Sequence, residues 1–423
     1  MSSFFYNNKL FLQFIFWIIP LAFLPGVCLA ELNDLINYEG QQESEQLTRF
    51  ALNESGDEKK ECTNDSEESA CADNSCCPLF LGLCCGKCGG NMPLNIPGAG
   101  TPEPHELRVK LNLSWGRMIG LRRGTSNRST SDAHRQYMMA PRKMDMYMSS
   151  VSVGYAFSDR FFAGIMGMYV NKDMEMITRG NGKRSSMYSQ GAGDTMLMTK
   201  TLLYADDFLI PKSQVSLLLG VSIPTGSINQ DEKGAILPYS MQLGSGTFDP
   251  FFGILYEGSS TPLWWGANAS YLARAYENYK SYNLGDEYRL DLYGMYQASY
   301  NLVGELQIKS KYVGHLEGQA REIEQGGDGH MKMMGVPTSA FMSNLYDPDN
   351  YGGSTVDLTA GIQWQPFHNH ILNAQFSIPL YQNLHGTQLE RDFTASITYY
   401  IEVPFGKSRR SKKTNKGLEF LGF

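Results

Sequence analysis

The sequence predicts an all-β fold, a transmembrane antiparallel β-barrel of about twelve strands, and three observations carry that expectation. The stretch Arg391 to Phe405 repeats with period two: Phe393, Ala395, Ile397, Tyr399, Ile401 and Val403 share one face, and Thr394, Ser396, Thr398, Tyr400 and Glu402 share the other. A strand points successive side chains to opposite sides, so this segment needs apolar surroundings on one side only, as lipid provides around a polar lumen. Short connections alternate with generally longer ones along the chain, which is the rhythm of a barrel with short periplasmic turns and long external loops. The apolar segments run to lengths suited to a tilted membrane crossing rather than to a soluble sandwich.

The 423 residues are 42% hydrophobic and 12% aromatic with a net charge of -7, which excludes wholesale disorder and offers no nucleic-acid footprint. Residues 1–30 place Lys9, an apolar run from Leu10 to Leu24 and a Pro25-Gly26 break before Cys28-Leu29-Ala30, the pattern of a cleaved signal peptide. The expected destination is the outer membrane of a Gram-negative bacterium, with its lipid and the barrel-assembly machinery as partners.

Residues 31–105 read as an acidic, Cys-rich N-terminal arm and linker. Twelve acidic residues stand against three basic ones from Glu31 to Ala70, a composition expected to remain disordered. Cys62, Cys71, Cys76, Cys77, Cys84, Cys85 and Cys88 follow. In an exported protein they suggest disulfides, while the C-x-x-C spacing of Cys85 and Cys88 also fits a soft metal. Gly89 to Pro104 then reads as a Pro- and Gly-rich linker.

The barrel is expected over 106–405, with strands near 107–119, 144–157, 161–176, 193–205, 213–223, 242–256, 262–275, 286–300, 301–315, 355–365, 370–381 and 391–403. The longer connections fall at 120–143, 177–192, 224–241, 276–285, 316–354 and 382–390. Glu287, Arg289 and Asp291 in the eighth strand, and Glu305, Lys309 and Lys311 in the ninth, put charge on the polar face and should line the lumen. Trp115, Trp264, Trp265, Trp364 and Tyr381 stand near strand ends, where interfacial girdles form. Residues 406–423 form a basic tail with six Lys and Arg side chains.

Three segments carry a resemblance to a known family. They are Gly193-Asp194, the pair Gly220-Val-Ser-Ile-Pro-Thr-Gly-Ser-Ile228 and Leu237-Pro-Tyr-Ser-Met-Gln-Leu-Gly-Ser-Gly-Thr-Phe-Asp249, and Ile378-Pro-Leu-Tyr-Gln-Asn-Leu-His-Gly-Thr-Gln-Leu389. From about Met138 to Phe405 the chain resembles the outer-membrane transporters grouped with the phenol meta-degradation pathway proteins. That resemblance implies an outer-membrane barrel with a transport role and names no solute. Read as chemistry, Pro224-Thr225-Gly226-Ser227 ends a strand with turn residues, and Gly244-Ser245-Gly246 allows a bulge or a close backbone approach.

Twelve of the 21 methionines lie between Met138 and Met198. Met144, Met146 and Met148 share a face that should be luminal, and Met174, Met176, Met196 and Met198 repeat the spacing near the expected outer mouth. Thioethers are adaptable fillers and also soft ligands for Cu(I). The leading expectation is a passive channel for small solutes with no cofactor. The alternative is a non-conducting barrel that binds a copper-like metal through its Cys and Met clusters. No nucleophile motif, Walker loop or dinucleotide fingerprint accompanies the seven histidines, and no enzyme is expected.

Overall fold

Period-two alternation from residue 106 onward dictates strands, and their side chains sort by face as lipid and lumen demand. The computed structural model describes residues 92–100, 104–206, 211–232, 234–260, 262–299, 301–324, 339–367 and 370–405. The expected signal peptide, the acidic arm, all seven clustered cysteines and the basic tail lie outside the described residues.

In chain order the strands are β1 (Glu106–Gly124), β2 (Ser126–Arg128), β3 (Met139–Ala156), β4 (Phe161–Thr178), β5 (Arg184–Ala192), β6 (Thr195–Ala205) and β7 (Ser213–Ile223). They continue as β8 (Asp231–Glu232), β9 (Ala235–Ile236), β10 (Asp249–Ser260), β11 (Leu263–Leu272), β12 (Tyr282–Asn283) and β13 (Glu287–Ser299). The last four are β14 (Leu302–Val313), β15 (Glu317–Gly318), β16 (Gly353–Phe367) and β17 (His370–Pro404). Eleven elements make the wall in the order β17-β16-β14-β13-β11-β10-β7-β6-β4-β3-β1, every pair antiparallel, and β17, running out beside β16 and back beside β1, makes two crossings and closes the ring. A closed ring leaves no unpaired edge. No helix among the described residues is long and apolar enough to cross a membrane.

The polarity of the wall is that of a soluble core turned inside out. Ile254, Leu306, Ile362 and Ile397 are each more than half exposed on the outer face. Asn268, Gln307, Gln363, Asn373 and Thr398 are buried inside. An apolar exterior of this extent belongs in hydrocarbon rather than water.

Four differences from the sequence expectation have local causes. The long connection expected at 382–390 is laddered, so the two crossings expected at 370–381 and 391–403 run together as β17: its first half pairs with β16, its second half runs back along β1, and Leu384 pairs with both Gly353 and Gly124. Gly386, at φ 61°, lets the ladder turn there without a break. Residues 184–192, expected as loop, form β5, which extends the wall beside β4 beyond the reach of β6. The strand expected from residue 242 starts at Asp249, because 242–248 fold with the preceding loop. Trp264, expected at a girdle, points into the lumen and is 2% exposed, whereas Trp265, Trp364 and Tyr381 face outward.

Candidate functional site in the barrel lumen

Residues 92–100, expected as part of a linker, lie instead inside the barrel at its short-turn end. Met92, Leu94, Ile96 and Ala99 are buried against Trp264, Tyr293, Met295, Val303, Ile371 and Tyr400 from the wall. Pro93 and Pro97 stiffen the segment, and Gly98 and Gly100 adopt φ of 70° and 74°. A Cβ on Gly98 would collide with Leu218, and one on Gly100 with Met92.

The wall holds this plug by its backbone. Gln363 Nε2 donates to Met92 O at 2.7 Å, and Lys110 Nζ to Leu94 O at 2.8 Å. Arg108 Nη1 donates to Ala99 O at 3.3 Å, and its guanidinium also reaches Glu402 Oε1 at 3.4 Å. Gly100 is gripped at both ends: its N–H donates to Glu257 Oε1 at 2.6 Å and its carbonyl accepts from Lys200 at 2.8 Å. Buried charged side chains, which face a large desolvation cost when unpaired, thus find partners in a neutral backbone.

At the other end the long loops fold inward as a lid. Asp194 is the knot: its Oδ1 accepts from Gly226 N at 2.9 Å, and its Oδ2 accepts from Ser245 N at 2.8 Å and Ser245 Oγ at 2.9 Å. Gly226 and Gly244 pass so closely that a Cβ on Gly226 would lie 2.7 Å from the Gly244 Cα. The quoted motif residues Asp194, Gly226 and Gly244-Ser245 therefore act together to bend the loop between β7 and β10 into the mouth.

Tyr239, Tyr282, Leu316, Ala320, Ile323 and Tyr346 form the lid's core. The Tyr239 ring meets Tyr282 edge-on at 4.8 Å, and its hydroxyl accepts from Ala320 N at 3.0 Å. Burial pushes the Tyr239 hydroxyl up to about 12 and raises Tyr282 and Tyr351 as well.

Between plug and lid lies a chamber of about 950 Å³, bounded by plug residues Met92 to Ala99 and lid residues Tyr239, Ser240, Gln242, Leu345 and Tyr351. One wall is thioether. Met118, Met144, Met174 and Met187 are direct register partners on β1, β3, β4 and β5, a ladder of methionines across adjacent strands. The rest of the wall is charged, up to Arg391, the register partner of Met118. Glu287 pairs with Arg289 and, at 2.6 Å, with Lys311. Arg274 pairs with Asp249, and Arg391 with Asp357.

The charges singled out from the sequence sit on this inner face. Asp291 accepts from Asn268 at 3.2 Å, and Lys309 is its register partner on β14. Glu305 is buried nearer the plug and accepts from Asn373 at 2.8 Å, Gln375 at 2.5 Å and Gln363 at 3.1 Å. The seven methionines do not converge on one point. Met144, Met174 and Met176 are buried in one cluster with Met139 and Met241, and Met146 packs against it. Met196 and Met198 pack against a second cluster around Leu218, Phe251 and Leu255, deeper in the barrel than the expected mouth. Met148 lines the chamber wall.

Among the described residues no group of three or more His, Cys, Asp or Glu is placed to hold a metal. Sequence reasoning missed the plug, Lys172, Lys200 and Glu257. A lysine and a glutamate on facing strands give no signal until the register is known.

No family model and no curated protein matches the chain. Among solved structures, the chain is similar to an outer-membrane channel from Pseudomonas putida F1, at 10% identity and TM-score 0.49, covering 74% of this chain and 100% of that one. It is similar to the NanC porin at 10% identity and TM-score 0.38, covering 69% and 100%. A Pseudomonas aeruginosa FadL homologue aligns at 9% identity and TM-score 0.35, covering 74% and 96%.

Proposed function

We propose that this protein is a passive outer-membrane channel for small solutes in a Gram-negative bacterium, held closed by its own residues 92–100. The observation that carries the reading is the chamber of about 950 Å³ in a closed, lipid-facing barrel, with the plug below it and the lid above. A structural filler role would not require a chamber lined with charged and hydrogen-bonding groups. The short turns mark the periplasmic side, so the plug faces the periplasm and the lid faces outward. The motifs that resemble the phenol meta-degradation group support a transport role through the lid they fold.

Planar-bilayer conductance tests this reading on the full chain and on residues 106–405. Steady conductance in the truncated barrel with little in the full chain supports a plugged channel. Silence in both sinks it.

The ladder from Met118 to Met187 favours one alternative, weak binding of a soft monovalent ion by thioethers. Lys172, the register partner of Met146, puts positive charge beside the ladder and weighs against a cation. If replacing Met144, Met146, Met148, Met174, Met176, Met196 and Met198 with Leu leaves Cu(I) binding by the purified protein unchanged, the metal reading is lost.

A further inference from the structure

Among the described residues, ion-paired lysines are Lys143, Lys200, Lys280 and Lys311. Two chamber lysines stand outside these pairs: Lys110, which holds the plug at Leu94 O, and Lys172. The Lys172 ammonium donates only to two lid carbonyls, Ser240 O at 2.8 Å and Gln242 O at 2.6 Å. An ammonium has three donors, so one remains after those two bonds. Neutral carbonyls are weaker partners for it than an anion would be.

The surroundings of Lys172 fix the rest of the ligand. Met146 stands opposite it in the ladder, Met174 lies two residues along the same face, and Met148 and Met168 line the chamber beside them. These unbranched thioethers adapt to an irregular apolar body and offer it no hydrogen bond. Arg274, Arg289 and Arg391 on the same lining are paired with Asp249, Glu287 and Asp357, whereas Lys172 has no carboxylate partner among the described residues, and a cation so placed beside such a wall suits a molecule with one negative end and an apolar remainder.

We propose that the chamber binds an amphipathic monocarboxylate, its apolar body against the methionine wall and its carboxylate on Lys172. The inference rests on the channel reading in taking the chamber as a station on the solute's path.

Equilibrium dialysis of radiolabelled octanoate tests it, using the full chain in lipid nanodiscs with empty nanodiscs subtracted and octanol as the neutral counterpart. The expected result is saturable octanoate binding that Lys172→Gln weakens by about tenfold or more, with octanol unchanged and Lys172→Arg retaining binding. Met148→Glu, which adds a negative charge to the same wall without touching Lys172, should weaken octanoate as well. Electrophoretic heat-shift reports whether each variant is folded. Absence of saturable binding, or octanoate binding indifferent to both Lys172→Gln and Met148→Glu, overturns the proposal. Conductance by the truncated barrel without octanoate binding by the full chain would remove this inference and leave the channel. Lys172-dependent octanoate binding with a silent barrel would uphold the site and remove the channel.

Discussion

Lys200 Nζ donates to Glu257 Oε2 across 2.8 Å near the short-turn end of the barrel, and both side chains are buried. The pair grips Gly100 by its N–H and its carbonyl, and Gln214 adds a third hydrogen bond to Glu257 at 2.8 Å. This clamp fixes the end of the plug to β6, β7 and β10 at once. Removing one partner of a buried pair leaves the other charge uncompensated, at a cost of about 3–5 kcal/mol. Glu257→Gln is therefore expected to release the plug. Bilayer recordings should show more conductance than the parent chain, and a barrel as silent as the parent would contradict the clamp.

Gly98 gives a second route to the plug. Its positive φ costs an L-residue about 1–2 kcal/mol, and a methyl group there meets Leu218. Gly98→Ala should expose residues 92–100 to protease in detergent. Unchanged cleavage would mean that the segment can be accommodated elsewhere.

Leu306 is 54% exposed at the middle of β14, on the face assigned to lipid, and Gln307 beside it is buried inside. Leu306→Arg should destabilise the barrel by about 2–4 kcal/mol in a bilayer, the cost of a cation near the hydrocarbon midplane. Urea unfolding from liposomes measures it. A neutral result would reverse the assignment of faces.

Asp194 carries the lid through three hydrogen bonds, two of them from backbone N–H groups. Hydrogen bonds to a charged acceptor contribute about 1.5–3 kcal/mol. Asp194→Asn should loosen the loop between β7 and β10, visible as faster amide exchange at Gly226 and Ser245 with the barrel strands unchanged.

Alkaline pH should act on the same lid. Burial raises the Tyr239 hydroxyl from 10.0 to about 12, so its folded value lies above its unfolded one. Its contribution is fully present below about pH 10 and is lost as pH rises toward 12. Tyr282 and Tyr351 shift in the same direction. Tyrosinate absorbance should therefore rise late, together with loss of lid protection. Early titration with the lid intact would show these hydroxyls to be solvated.

The sequence by itself determined the all-β class, the order of the strands and which face of each meets lipid. Those follow from period two, because a one-residue slip would turn every apolar side chain of a strand into the lumen. Arg391 to Phe405 displays this directly: Ile397 is 59% exposed outside, while Thr398, Tyr400 and Glu402 are buried inside. The luminal parity of Glu287, Asp291 and Glu305 was legible for the same reason.

Tertiary structure alone decided what fills the barrel. Met92, Leu94 and Ile96 recur at period two among prolines and glycines, too short a run to name a partner, and only the ring of wall donors and acceptors makes Gly100, Leu94 and Met92 a plug. The division of the methionines into two clusters, and the lone position of Lys172 among them, depend on cross-strand register. Register and closure bring together residues far apart in the chain, and local pattern carries no record of them.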